Sequence, residues 1–437
     1  MQLPKRAPLK VAVVGGGWAG LAAAVKATQA AHHVTVFEAS RQWGGRARSL
    51  PATLPDGSSV TLDNGQHILI GAYTETLQLM RQVGVDPAQV LLNLPMTLQF
   101  ADGSGIRFGS GPTPLDAAAG ILGARGWSWS DKAALLRAAL RWRWQRFTCD
   151  ATLSVADLCQ TLPARVRADL IEPLCVSALN TPIQHAGAAV FLRVLHDALF
   201  GVRGGSRLLL PRVDLGALLP QAAVKWLSQH GSTLHLAHRV TALVPDGAAW
   251  RVDGQPFDAV VLAGSAENMA LALMESAHTA PPLIASRMTT WATCARHLRF
   301  EAITTVYAWS PKAHLTQPML ALRSAPGQPA QFVFDRGQLG GLAGLLAFVV
   351  SASQADRATL QAQVLAQARN QLGLDLQAVQ AVVEKRATFA CTPGLTRPGA
   401  VIAPGLVACG DYVAGPYPAT LEGAVRSAHS ACALLPI

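Results

Sequence analysis

Val11-Ala12-Val13-Val14-Gly15-Gly16-Gly17-Trp18-Ala19-Gly20, followed eighteen residues later by Glu38, is the stretch that decides the fold. It reads as strand, tight glycine turn and helix, with a second strand, Val34-Thr35-Val36-Phe37, ending at the acid. That order is what a dinucleotide-binding βαβ unit requires. Gly15 permits the turn, Gly17 lets the backbone approach a pyrophosphate, and Gly20 lets the helix pack close on the strand. The first helical turn, with Trp18 and Ala19, offers unpaired N–H groups to phosphate. Glu38, with Ala39 beside it, can accept hydrogen bonds from a ribose and would repel a 2′-phosphate, which disfavours NADP. A tight turn alone would explain the glycines but not the strand, the Ala-rich helix over Leu21–Ala31 and the placed acid together.

The chain continues Ala39-Ser40-Arg41-Gln42-Trp43-Gly44-Gly45-Arg46-Ala47-Arg48. Gly44 and Gly45 allow it to fold back over the cofactor, and Arg46 can then reach a pyrophosphate or a flavin edge with a planar fork of donors. A nicotinamide dehydrogenase has no need of this extension. The segment resembles the flavoprotein amine oxidase and phytoene desaturase superfamily, in which an acid followed by Gly-Gly-Arg marks FAD. The far end of the chain carries a second match. Leu406-Val407-Ala408-Cys409 reads as a buried strand, then come Gly410-Asp411 and Pro418-Ala419-Thr420-Leu421-Glu422-Gly423-Ala424 at a helix start. The resemblance implies that Gly410 and Asp411 carry the ribityl and phosphate end of FAD. It also implies that the helix entered through Ala419, Thr420, Leu421 and Ala424 points its positive end at the flavin ring. Gly231 to Leu243 reads as paired strands, where the resemblance puts the backbone of Val240 against the adenine. Phe257 to Gly264 reads as a buried strand leaving the cofactor fold.

Composition narrows the setting. With 437 residues the chain can build two or three domains. Charged residues are 14% and hydrophobic ones 50%, against about a quarter charged in ordinary globular domains. No stretch approaches the roughly eighteen apolar residues of a spanning helix; Leu339 to Val350 reads as a strand. Met1 to Lys10 carries basic residues but leads into the first strand and does not read as a signal peptide. Seven cysteines without a CxxC pair or metal spacing argue against a disulfide framework or a bound metal and point to the cytoplasm. The absence of CxxC and of a second GxGxxG also excludes a pyridine-nucleotide disulfide reductase, so electrons are expected from an external donor.

The net charge of +10 comes with no nucleic-acid module or basic tail, so nucleic acid is not an expected partner. Between Gly126 and Phe147, Trp127, Trp129, Trp142 and Trp144 alternate with Lys132, Arg137, Arg141, Arg143 and Arg146. Two readings stand at this point. The segment is an interfacial anchor, giving peripheral contact with a membrane, or a domain helix with arginines in water and tryptophans in the core.

The pattern predicts an α/β fold: a discontinuous Rossmann-like FAD-binding domain interleaved with a mixed α+β substrate domain. The cofactor domain is expected from residues 1–80, 205–270 and 390–437. The substrate domain is expected from 81–204, mostly helical, and 271–389, with strands near 295–309 and 331–334 and a helix near 354–372. Active sites sit where such domains meet.

Asp63-Asn64-Gly65-Gln66-His67, Glu172-Pro173-Leu174-Cys175 and Ala178-Leu179-Asn180-Thr181-Pro182 narrow the likeness, along with Pro418 to Ser427. They resemble the hydroxysqualene dehydroxylase family over the whole chain, with Tyr412 standing where that family is expected to carry Trp. The resemblance implies non-covalent FAD, a C30 isoprenoid substrate and hydride delivery to an allylic carbocation, with a carotenoid desaturase or isomerase as the alternative and a flavin amine oxidase behind it. Gly65, Gln66 and His67 are then cofactor-side residues. Three residues are candidates for catalysis. Glu172 sits in an apolar stretch where burial would raise its pKa toward that of a general acid. His67 is either a catalytic group over the ring or a satisfied core or cofactor-side histidine. Tyr412 is either a donor or a wall.

Overall fold

A computed structural model describes residues 7–109 and 113–436. The strands that position the site are, in chain order, β1 (Lys10–Val14), β2 (His33–Phe37), β3 (Thr233–His235), β4 (Ala259–Leu262), β5 (Phe300–Trp309), β6 (Met319–Ala321), β7 (Phe332–Asp335), β8 (Leu345–Ser351), β9 (Gln377–Phe389), β10 (Val401–Ala403) and β11 (Leu406–Ala408). The helices that matter are α1 (Trp18–Gln29), α2 (Thr113–Leu122), α3 (Trp129–Trp144), α4 (Glu172–Leu179), α5 (Ala188–His196), α6 (Arg357–Leu372) and α7 (Leu421–Cys432).

Six strands form one sheet in the order β3-β2-β1-β4-β11-β10, parallel except for β10. Val11 to Val14 are all buried because both faces of this sheet are covered. The alternation of side chains divides them. Val11 and Val13 join the core beneath α1 and α7, while Ala12 and Val14 join the larger core on the other face.

A second sheet, fully antiparallel, runs β6-β7-β8-β5-β9. Val333, Phe348 and Val350 point to α6, while Phe332, Phe334 and Val349 join the large central core. Residues 113–201 are mostly helical, with five-residue π-helical turns at Arg167–Ile171 and Asp197–Gly201. A small sheet pairs Leu69–Ile70, Leu208–Pro211 and Leu91–Leu94. No helix among the described residues is long and apolar enough to cross a membrane.

Several local expectations change. Only Thr233–His235 of the 231–243 stretch is a strand before Leu243, because Ala237 turns at φ +57° and carries the chain into the site. Residues 282–296 form a helix that starts on Pro282, and strand β5 begins only at Phe300. The 339–350 run is broken by Gly340 and Gly344, both at positive φ, so its strand starts at Leu345.

Candidate functional site

A cavity of about 440 Å³ runs across the carboxyl ends of the parallel strands, the place where open α/β sheets put ligands. After β1, Gly15 turns at φ +119°, and a Cβ there would lie 2.7 Å from the Ala263 carbonyl. Gly17 is the N-cap of α1 and no side chain caps it, so first-turn N–H groups remain for an anion. Gly44 and Gly45, both at positive φ, fold over this turn, with the Gly44 N–H donating to the Gly16 carbonyl at 2.9 Å. Gly15, Gly17, Trp18, Ala19, Gly44 and Gly45 line the cavity. Gly20 does not; it faces back, where any Cβ would press on the Gly15 carbonyl.

At one end the Glu38 carboxylate accepts the Gly16 N–H at 2.6 Å and the Ser40 N–H at 2.7 Å. The chain beyond β3 is tied to it, since the His238 N–H donates to the Glu38 carbonyl at 2.8 Å. Val240 therefore lines the same end as Glu38 and Ala39.

At the other end, Gly410 and Asp411 follow β11. Arg46 pairs with Asp411 at 2.5 Å and donates to the Ala387 carbonyl at 2.7 Å. Its fork of donors thus joins the first and last segments of the chain to the end of β9, rather than standing free for a pyrophosphate. Helix α7 starts here; Thr420 caps it by accepting the Gly423 N–H at 3.0 Å. Ala419, Thr420, Leu421 and Ala424 line the cavity, so the positive ends of two helices meet in it.

The inner face of the second sheet and the 63–67 loop close the cavity. That loop is held from several sides: Asp63 accepts the Leu215 N–H at 2.8 Å, Tyr307 donates to the Asp63 carbonyl at 2.9 Å, and Arg336 donates to Gln66 at 3.2 Å. Burial pushes the Asp63 carboxyl up to about 6, with Arg336 opposing the shift. Gly65, Gln66 and His67 line the cavity. The His67 Nδ1 lies 3.0 Å from the Gly65 carbonyl; since a carbonyl only accepts, Nδ1 carries the proton. Burial lowers the imidazole pKa below its usual value, so at neutral pH the ring is uncharged and Nε2 presents a lone pair.

The model of the flavin containing amine oxidoreductase family matches residues 18–435. The chain belongs to this family. It is a flavin-dependent oxidoreductase. Three relatives called hydroxysqualene dehydroxylase are similar over nearly the full length. That of Rhodopseudomonas palustris is 28% identical over 97% of this chain and 98% of its own, and that of Sinorhizobium fredii is 26% identical over 98% of each. That of Zymomonas mobilis is 25% identical over 97% of this chain and 98% of its own. Among solved structures, an oxidoreductase from Methanosarcina mazei superposes with a TM-score of 0.71 at 16% identity, over 97% of this chain and 99% of that one. Cyclohexylamine oxidase from Brevibacterium oxydans gives 0.65 at 15%, over 98% of each.

The cavity residues fit a flavin. Two helix N-termini face it for anionic and electron-rich groups, and a carboxylate stands at the far end. At Gly45 a Cβ would come within 3.1 Å of the Gly17 Cα, closing the approach.

Two of the catalytic expectations are corrected. Glu172 is exposed at the start of α4 and is absent from the lining of this cavity and of the one beside it. The apolar stretch around it buries Pro173, Cys175 and Leu179, but that burial does not extend to Glu172 at the first position of the helix. Tyr412 does line the cavity, but its hydroxyl donates to the Gly264 carbonyl at 3.2 Å and its ring packs edge-on to Trp291. Burial pushes that phenol far above its ordinary pKa. It is a wall.

A second cavity, of about 320 Å³, adjoins the first. Its lining is almost wholly apolar, drawn from α2, α3, α5 and both π-helical turns, with Ile121, Leu135, Ala139, Leu170 and Leu195 among its walls. Ile68, Tyr73, Ser177, Ala178 and Thr420 line both cavities and form the neck between them. Ser177 donates to the Leu174 carbonyl and Thr420 caps α7, while the Tyr73 hydroxyl lies beside the Thr420 side chain as its hydrogen-bond partner. The sequence reading missed Tyr73. It belongs to no motif, and its one local signal is an aromatic residue immediately before the helix of residues 74–82.

Proposed function

We propose that the chain holds FAD without a covalent bond and removes the hydroxyl of hydroxysqualene to give squalene. The observation that carries this reading is the apolar chamber joined to the cofactor cavity by a neck with a hydroxyl to offer. A long hydrocarbon fits such a chamber, and an amine does not need one. Full-length similarity to three proteins called hydroxysqualene dehydroxylase supports it further. In balance, the allylic C–O bond breaks as its oxygen takes a proton and leaves as water, and a hydride joins the carbon. Bound FAD, reduced by an external donor, supplies that hydride.

The protein's own residues do the rest. Tyr73 donates a hydrogen bond to the substrate hydroxyl and sets the carbon at the mouth of the cofactor cavity. His67, with Nδ1–H fixed on the Gly65 carbonyl, takes a proton on Nε2 and passes it to the leaving oxygen. The chamber walls exclude water from the cation. Arg46 and Asp411, both in the lining of the cofactor cavity, tie the first and last segments of the chain together. Non-covalent attachment is supported by the absence of cysteine from both linings among the described residues. Cys409 is buried in the core under α1 and α7.

Segments of about a fifth of the chain also match carotenoid enzymes. One is 39% identical over 97 residues to a carotenoid phi-ring synthase of Streptomyces griseus, and another 37% over 76 residues to a zeta-carotene desaturase of Synechocystis. The reverse redox direction is therefore the second reading. An amine oxidase is the weakest: no lysine lines either cavity among the described residues.

The deciding experiment is anaerobic incubation of the reduced holoprotein with hydroxysqualene, with products read by mass. Squalene formed as the flavin reoxidises supports the proposal. A flavin that stays reduced, with desaturation of carotenoid precursors by the oxidised protein, replaces it with the second reading.

A further inference from the structure

We propose that the face formed by α2, α3 and the Asp197–Gly201 turn docks on an anionic lipid bilayer and that the apolar chamber opens onto that surface. Helix α3 carries two apolar stripes. One, of Leu135, Ala138 and Trp142, is buried against the protein. The other runs through Trp129, Ala133, Leu136, Leu140 and Trp144 at helical spacing; Leu136 is half-buried and lines the second cavity, and the other four are exposed. Along it Trp129 is 75% exposed, Leu140 64% and Trp144 84%. Folding needs only the first stripe; large aromatic rings held in water along the second call for a partner.

The neighbouring surface extends the patch. Helix α2 packs against α3 and against the Asp197–Gly201 turn, adding Leu115 at 71% exposure, with Leu122, Phe200 and Val202 also exposed. Cations flank the apolar stripe on both sides: Lys132 and Arg143 on one, Arg137 and Arg141 on the other. Lys132 lies 4.9 Å over the Trp129 ring and donates to the Leu122 carbonyl. Arg137, Arg141 and Arg143 form no ion pair among the described residues. Tryptophans at both ends of an apolar stripe with a cationic rim are complementary to an anionic membrane interface, where rings sit among the headgroups and cations meet acidic lipid. A second copy of this strongly basic chain would instead bring like charges together.

The patch is continuous with the chamber. Leu140, Arg143 and Phe200 are exposed and also line the second cavity. Cavity wall and docking surface are one sheet of residues, so a hydrocarbon leaving the bilayer enters the chamber without crossing water. The docking rests on this surface alone. The use of the chamber as an entry route rests on the reading proposed above.

Flotation of the holoprotein with vesicles tests the docking separately from any reaction. Binding is expected to phosphatidylglycerol-containing vesicles and not to pure phosphatidylcholine, and it should weaken with salt. Arg137→Glu with Arg141→Glu should weaken it roughly twentyfold or more, each cation near an anionic leaflet contributing about fivefold. Trp129→Ser with Trp144→Ser should weaken it about tenfold or more. Both pairs are exposed and line neither cavity, so flavin absorbance and thermal melting serve as fold controls. Wild-type protein that ignores anionic vesicles, or variants that bind as well as wild type, would overturn the proposal. So would self-association in sedimentation velocity that the tryptophan variant abolishes. For the entry route, the tryptophan variant should turn over detergent-dispersed hydroxysqualene normally and vesicle-embedded hydroxysqualene at least several-fold more slowly. Equal rates from both would remove the route and leave the docking standing.

Discussion

The two cavities share five residues and are built on opposite principles. The cofactor cavity is made of backbone: glycines at positive φ, helix N-termini and single charged side chains in defined places. The chamber is made of apolar side chains, and no one of them has an obligatory identity. Polar recognition needs particular atoms at particular positions, whereas an apolar container needs volume and the absence of water. A change of one methyl group should therefore be fatal in the first and tolerable in much of the second.

The sharpest test of that contrast is Gly20→Ala. In a helix alanine is favoured over glycine by about 1 kcal/mol, so propensity works in favour of the substitution. The added Cβ nevertheless meets the Gly15 carbonyl and comes within 3.2 Å of the Ala263 Cβ, forcing the helix off the strand. Purified protein should lose nearly all of its flavin absorbance. Retention of the flavin would mean that the helix can move outward, and the contrast would fail at its strongest point.

Arg46→Ala comes next. It leaves Asp411, 8% exposed, without its cation, a loss that solvent tempers because the Arg46 side chain is 36% exposed. Flavin affinity should fall on the order of a hundredfold, with partial recovery in Arg46→Lys, which restores the charge without the planar fork. His67→Gln tests the proton path and should lower turnover by about a hundredfold. Because burial lowers the imidazole pKa, the protonated form gains population only as pH falls below the ordinary histidine range. Wild-type turnover should therefore rise toward acid and decline as pH increases through the lowered value, and the variant should lack that slope. On the chamber side, Ala139→Phe fills volume without touching the cofactor. It should leave the flavin spectrum unchanged and reduce kcat/KM for the C30 substrate about tenfold.

How much of this was legible follows the same division. Gly15, Gly17, Glu38, Arg46, Gly410 and Asp411 could be read because a turn, a close approach or a charge leaves few alternatives at each. Strand β9 was not read, although it is thirteen residues long. It lies at the edge of its sheet, mixes Gln, Glu, Lys and Arg with valines, and pairs with β5 through two irregularities that break the alternation. Glu172 was misread for a related reason. An apolar neighbourhood in sequence does not say how far burial reaches along a helix: Cys175 and Leu179, on the same face as Glu172, are buried, while Glu172 at the first position is exposed. The chamber was invisible because its walls come from many separated stretches of ordinary core-like residues, from Ile68 to Glu422. What could be seen, the Trp/Arg interleaving, allowed two interpretations, and the structure divides the tryptophans: Trp127 and Trp142 are buried, Trp129 and Trp144 exposed.

The neck is where the two principles meet, and Tyr73→Phe probes it with the smallest change. The ring is retained, so the walls of both cavities keep their shape and the chamber its volume. Only one hydroxyl is lost, and burial holds that phenol well above its ordinary pKa, which makes it a hydrogen-bond donor and not an acid. Loss of a neutral hydrogen bond to the substrate is worth about 1 kcal/mol, so kcat/KM should fall roughly fivefold, with flavin content and the pH slope unchanged. A hundredfold loss accompanied by a flattened pH profile would move the proton from His67 to Tyr73. No change at all would mean that the substrate hydroxyl sits elsewhere and that the neck behaves as an extension of the apolar chamber.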